Sequence, residues 1–183
     1  MQFWIVKQNY TMNKIEALLD PKEHYPILKL KVDDKWLDEL LDEYAPNRQL
    51  KGLIPTLCFR MERDIENQIV WERILPNTNE KRIAPILMCP DDLDFSCTIV
   101  TVECAAKKDY VEWKNFALDI TPNTYQNPLF IGRNSSFLTH PQLKFQFRRS
   151  EYKNVVKQFQ EQYTIENDAW NEKNPNITYP LPF

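Results

Sequence analysis

Glycine is almost missing from this chain, with only Gly52 and Gly132 among 183 residues. A phosphate-cradling loop or dinucleotide fingerprint needs several glycines in one short segment, because close backbone approach and positive φ penalise other residues. Neither glycine has another near it, and no G-x-S-x-G elbow occurs. Histidine is equally scarce: His24 and His140 stand in separate proline-flanked contexts. No apolar run approaches the roughly 20 residues that span a bilayer. The segment Met1 to Lys7 has no preceding basic region and does not read as a secretory signal. The expectation is a soluble, intracellular protein without a cofactor. The four cysteines, Cys58, Cys89, Cys97 and Cys104, lack C-x-x-C spacing and read as small apolar packing residues rather than metal ligands.

Apolar and aromatic residues are plentiful, at 43% and 13%, and with 27% charge they describe one folded domain over residues 1–183. Strand character recurs at Phe3 to Lys7, Ile27 to Val32, Thr56 to Glu62, Ile69 to Leu75, Ile83 to Met88, Cys97 to Glu103 and Tyr110 to Leu118. The connections Arg63 to Gln68 and Cys104 to Asp109 are too short for helical crossovers, so each predicts a hairpin. The two hairpins resemble each other around Trp71 and Trp113, either as a duplication or by coincidence. Trp36, Leu37, Leu40, Leu41 and Tyr44 form one helical stripe over Asp33 to Ala45, with Asp33 or Asp34 placed to cap it and Pro46 to stop it. A second helix is predicted from Ser150 to about Tyr163, with a shorter continuation capped by Thr164. Residues Thr121 to Pro141 read as a long loop packed through Phe130, Ile131, Phe137 and Leu138, and residues 174–183 as an extended proline-rich tail. The predicted fold class is α+β: an antiparallel sheet built from hairpins with flanking helices.

Net charge is −3 with pI near 5.5, which argues against nucleic acid or anionic membrane as partner. The charge is segregated. Asp33 to Ala45 holds six acids against Lys35, whereas Lys144 to Lys157 holds five bases against Glu151. Asp42 and Glu43 fall in the last turn of the predicted helix, where the dipole disfavours negative charge by about 0.3–1 kcal/mol each, so the placement calls for compensation. The acids are either a solvated face paired with the basic helix or a surface for a basic protein. Asp91, Asp92 and Asp94 form a second cluster. It reads as an Asp-rich turn capping its own backbone, then as a partner-binding loop; the glycine and distal glutamate of an EF-hand are missing.

Pro90-Asp91 followed by Glu112-x-Lys114 matches the outline of the PD-(D/E)xK nucleases, whose acids hold a divalent metal while the lysine assists the attacking water. Four acid-x-Lys triplets occur, at Asp20, Asp33, Glu112 and Glu151, so the triplet itself discriminates little. Strand alternation places Trp113 opposite Glu112 and Lys114, which makes them its solvent-facing neighbours.

The run Cys89-Pro-Asp-Asp-Leu-Asp-Phe-Ser-Cys-Thr-Ile-Val-Thr-Val-Glu103, continuing to Tyr110-Val-Glu-Trp-Lys114, resembles small bacterial immunity proteins of contact-dependent toxin systems over roughly residues 88–119. The resemblance implies a cytoplasmic, non-catalytic protein that binds and neutralises one cognate toxin domain. Toxins that act on nucleic acid are often basic, so an acidic protein can occupy their phosphate-binding groove. The expected contact residues are Asp38, Glu39, Asp42 and Glu43, then Asp91, Asp92 and Asp94, with no catalytic residue and no metal. The alternatives are the nuclease, through Asp91, Glu112 and Lys114, and a structural or assembly module using Trp4 or Trp170.

Overall fold

A computed structural model of the chain describes residues 12–21, 27–59, 61–138, 143–176 and 180–183. The expected strand Phe3 to Lys7, Trp4, His24 and His140 lie outside them. Two antiparallel sheets and three α-helices make up the described residues, an α+β fold. The smaller sheet contains β1 (Ile15–Leu19), β2 (Leu28–Val32) and β3 (Lys35–Trp36), in that order. The larger follows the order β4 (Ile54–Pro55), β5 (Lys81–Met88), β6 (Ile99–Ala106), β7 (Tyr110–Asp119) and β8 (Ser135–Phe137), while β9 (Lys144–Arg148) also pairs with β7.

The hairpins β5–β6 and β6–β7 form where the β-branched runs predict them. Two irregularities shape them. An extra residue at Ile86 shifts the β5–β6 register beside Pro85, which has no N–H to give the ladder. Thr56 satisfies the displaced carbonyls, its hydroxyl donating to Pro85 O at 2.8 Å and its N–H to Ile86 O at 3.1 Å. On β7, Asn115 takes φ 56° within the stretch where the β6 register slips. The outer edge of β7 divides there: Tyr110 to Lys114 pair with β9, and Ala117 to Asp119 pair with β8.

The first predicted hairpin does not exist. Residues expected as the strand Ile69 to Leu75 and its preceding turn form α2 (Asp64–Ile74), and Thr56 to Phe59 form turns and bends. With α2 a helix, the apparent duplication around Trp71 and Trp113 dissolves. Asp33 and Asp34 do not cap a helix. They take φ 47° and 68° as the two-residue turn joining β2 to β3, the left-handed geometry that matches hairpin twist. Helix α1 (Leu37–Tyr44) starts after Trp36 without a side-chain cap. Helix α3 (Arg149–Lys173) runs unbroken for 25 residues. Thr164 donates its hydroxyl to Gln160 O at 2.9 Å, back into the preceding turn, instead of starting a new helix.

Sheet and helices share one buried cluster that reaches from Ile15 to Tyr163. At its centre Trp113, 1% exposed, meets Phe147, Tyr152 and Phe116 edge-on at 5.2, 5.7 and 6.3 Å between ring centroids. The loop expected from Thr121 to Pro141 holds in part: Ser135–Phe137 form β8 and residues 139–141 lie outside the described residues, while Ile131 and Leu138 are buried, Phe130 is half-buried and Phe137 is exposed. Arg73 of α2 fastens that loop by donating to the carbonyls of Leu129 and Ile131 at 3.0 and 2.9 Å. In the tail, Phe183 packs on Trp71 at 4.8 Å and Tyr163 at 5.8 Å.

Candidate functional site

The two acidic segments meet the same short ladder. Asp38 accepts the N–H of Gly52 at 2.8 Å, two residues before Ile54, which pairs with Met88 at the end of β5. Cys89 to Asp94 follow directly. Both segments therefore adjoin β4, the outer strand of the larger sheet.

On α1 the acids divide by role. Asp38 is 2% exposed and lies 3.3 Å from Lys29 Nζ, which also stands 3.5 Å from Asp20. Trp36 lies over the same ammonium, 5.6 Å from the ring centroid. Asp38 is thus an interior residue, not the surface contact its sequence position predicts. Asp42 compensates for its place at the carbonyl end of the helix by accepting the N–H of Leu50 at 2.8 Å. Glu43 pairs with Lys35, and Glu39 with Lys51 at 3.1 Å. The cations that meet α1 are Lys29, Lys35 and Lys51. The basic segment pairs elsewhere, Lys144 with Glu112 and Lys157 with Glu161.

The loop between β5 and β6 is the second half of the site. Asp91 and Asp92 are exposed, whereas Asp94 is 5% exposed and accepts the N–H of Ser96 at 2.7 Å, the self-capping turn expected of it. Asp94 is therefore also an interior residue rather than a contact. Leu93 takes φ 50°, an unusual conformation for a bulky side chain. The start of α2 holds it there: Glu62 N–H donates to Leu93 O at 3.0 Å, and Glu66 accepts the N–H of Phe95 at 3.1 Å. Glu66 has no solvent exposure, and burial pushes its carboxyl up to about 7 against the opposing pull of the Phe95 N–H and Arg63. Arg63 is turned inward, 3.1 Å from Glu66 and with its guanidinium 4.8 Å from the Tyr125 ring. Exposed Glu62 and Asp64 thereby join Asp91 and Asp92.

Sequence reasoning missed Glu66. Its signal is its place in the first turn of α2, where a carboxylate is favoured, but the sequence reading puts Glu66 in a hairpin turn ahead of a strand.

The cysteines also divide. Cys104 is buried, as expected of a packing residue, whereas Cys58, Cys89 and Cys97 are half-buried. Cys58 lines a mainly apolar cavity of about 180 Å³ with Leu28, Ile54, Leu57, Phe159 and Tyr163. Burial pushes its thiol up to about 12, which leaves it protonated and a poor nucleophile at neutral pH. Cys89, Asp92 and Cys97 come together, each offering a ligand atom within 4.8 Å of the others.

The nuclease constellation does not assemble. Asp91 follows Met88, which pairs with Ile99, while Glu112 pairs with Ala105 at the far end of β6. At about 3.3 Å per residue the two ends stand roughly 20 Å apart. Glu112 is instead held by Lys144 at 2.7 Å and Gln146 at 2.7 Å, which, with Lys114, depress its pKa despite partial burial. Trp113 points inward between them, as strand alternation predicts. Trp170, the other described residue of the assembly alternative, is half-buried. The chain matches no protein family model, no curated protein and no solved structure.

Proposed function

We propose that the chain is a non-catalytic immunity protein that binds and neutralises a basic toxin domain through its acidic edge, acting in the cytoplasm. The observation that carries this reading is the convergence of the β5–β6 loop on the start of α2. It brings the chain at exposed Glu62 and Asp64 against the loop that carries exposed Asp91 and Asp92, while Arg63 pairs with buried Glu66. Glu39, Asp42 and Glu43 extend the edge along α1. Asp38 and Asp94 support it from within, one by holding Gly52 and the other by holding Ser96.

Complementary charge of this kind accelerates encounter and fixes orientation. A toxin groove built for phosphate presents the matching cations. The sequence resemblance over residues 88–119 includes the β5–β6 loop, the second half of the edge.

The test is capture from lysate of the native cells by immobilised wild-type chain and by a Glu39→Lys, Glu43→Lys, Glu62→Lys, Asp91→Lys variant, with circular dichroism to confirm that the variant folds. The reading expects a basic protein held by the wild type and lost by the variant, whose toxicity on separate expression is relieved by the chain. Equal capture by both proteins would contradict the acidic edge.

A further inference from the structure

We propose that Cys89, Asp92 and Cys97 form a zinc-binding site with two thiolate ligands and one carboxylate. This goes beyond the protein-binding reading and stands independently of it. The three donor atoms already lie within 4.8 Å of one another. A tetrahedral zinc ion with Zn–S bonds of about 2.3 Å needs its sulfurs about 3.8 Å apart, so side-chain adjustments of about 1 Å close the site.

The sequence conceals this grouping because its spacing, C-P-D-D-L-D-F-S-C, is not a C-x-x-C pair. The fold of the β5–β6 loop creates it. Cys89 N–H donates to Thr98 O at 3.0 Å at the end of the hairpin, and the chain bends at Cys97, the residue before Thr98, which brings its sulfur near that of Cys89. The chain between them folds back. Its anchors are Glu62 N–H on Leu93 O, Glu66 on Phe95 N–H, Asp94 on Ser96 N–H and the Thr124 hydroxyl on Phe95 O at 3.3 Å. These bonds run through backbone groups and through residues other than the three donors. They position Asp92 without occupying its carboxylate, much as outer residues orient ligands in metal sites.

The donor chemistry selects the ion. Two thiolates favour zinc over magnesium or calcium, which prefer oxygen ligands. A hard-cation site from Asp91, Asp92 and Asp94 is not formed, since Asp94 is committed to Ser96. Asp92 is exposed and both cysteines are half-buried, so the fourth tetrahedral position faces solvent and takes water. Three protein ligands with an open position describe an accessible site rather than a closed structural one.

Cobalt(II) is the probe. The reduced full-length chain, stripped by chelator, is titrated with Co²⁺ while near-ultraviolet thiolate-to-cobalt charge transfer and visible ligand-field absorption are recorded, and Zn²⁺ is then added in competition. One Co²⁺ per chain with a charge-transfer band that Zn²⁺ abolishes is the expected result. Cys89→Ser or Cys97→Ser should each weaken binding about 100-fold and Asp92→Asn about 10-fold, while Cys58→Ala leaves it unchanged. Asp92 is exposed, so its variant keeps the fold; melting curves of all variants without metal check this. Failure of the band to appear, or an Asp92→Asn chain and both serine variants that bind as the wild type does, would overturn the site. So would recovery of Cys89 and Cys97 as a disulfide that survives purification in reductant.

Discussion

Glu66 accepts the backbone N–H of Phe95 at 3.1 Å from a position without solvent exposure. That bond joins the start of α2 to the acidic loop, and it makes the edge of the molecule sensitive to pH. Burial raises the carboxyl to about 7 in the folded chain, against about 4.3 for an exposed glutamate. The folded state thus binds the proton more tightly than the unfolded state. The resulting stabilisation is complete below about pH 4 and is lost as pH rises through about 7. Glu66→Gln should flatten the stability profile between pH 5 and 8, by about 3 kcal/mol at most. Urea unfolding across that range measures it, and an unchanged pH slope in the variant would refute the assignment.

Lys29 bridges two buried carboxylates, Asp20 and Asp38, at 3.5 and 3.3 Å. Removing the cation takes a positive charge away from two buried carboxylates. Lys29→Met is expected to cost about 3–5 kcal/mol. Lys51→Ala removes an exposed partner of Glu39 and should cost far less. Thermal melts of both variants compare the two environments directly.

The hydroxyl of Tyr152 accepts from Trp113 Nε1 at 3.2 Å and donates to Ile74 O at 2.7 Å. One oxygen therefore ties α3, β7 and the end of α2 together. Tyr152→Phe leaves Trp113 Nε1 unsatisfied in the core and Ile74 O with the weak Cys104 thiol donor at 3.5 Å, and should cost about 1–3 kcal/mol. The denaturant midpoint should fall with little change in slope.

The two glycines separate strain from collision. Gly52 takes φ 93° with open space where a Cβ would lie, whereas at Gly132, φ 82°, a Cβ would stand 2.4 Å from Ile83 Cγ2. Gly52→Ala carries backbone strain alone, about 1 kcal/mol. Gly132→Ala adds a clash with a stiff β-branched side chain and should destabilise by about 1–3 kcal/mol more. Calorimetric melting of the pair tests the ordering.

The meander was legible in the sequence because Ile99 to Val102 and Val111 to Phe116 carry β-branched and aromatic residues between short connections. Helix α2 was not. It places Glu66 and Asn67 on its buried side together with Ile69, Val70 and Trp71, so its polar and apolar residues fail to separate at helical spacing, and its β-branched residues imitate a strand. Asp33 and Asp34 look like caps by position, but a two-residue hairpin turn used their tolerance of positive φ first. The acidic segments were visible as charge. Which acids face solvent was not, because Asp38 and Asp94 turn inward for Lys29, Gly52 and Ser96, partners set by tertiary packing. The approach of Cys89 to Cys97 likewise depends on how the β5–β6 loop folds back, which spacing alone does not disclose.

The acidic edge itself is tested most directly by association kinetics with the basic toxin domain recovered by capture, measured across ionic strength for the wild-type chain and for Glu39→Lys, Glu43→Lys, Glu62→Lys, Asp91→Lys. Asp92 is left in place so that loss of metal binding does not enter the comparison. The account predicts a wild-type association rate that falls steeply with added salt, and a variant that associates at least about tenfold more slowly at low salt with a much weaker salt dependence. Equal rates with equal salt dependence would contradict it.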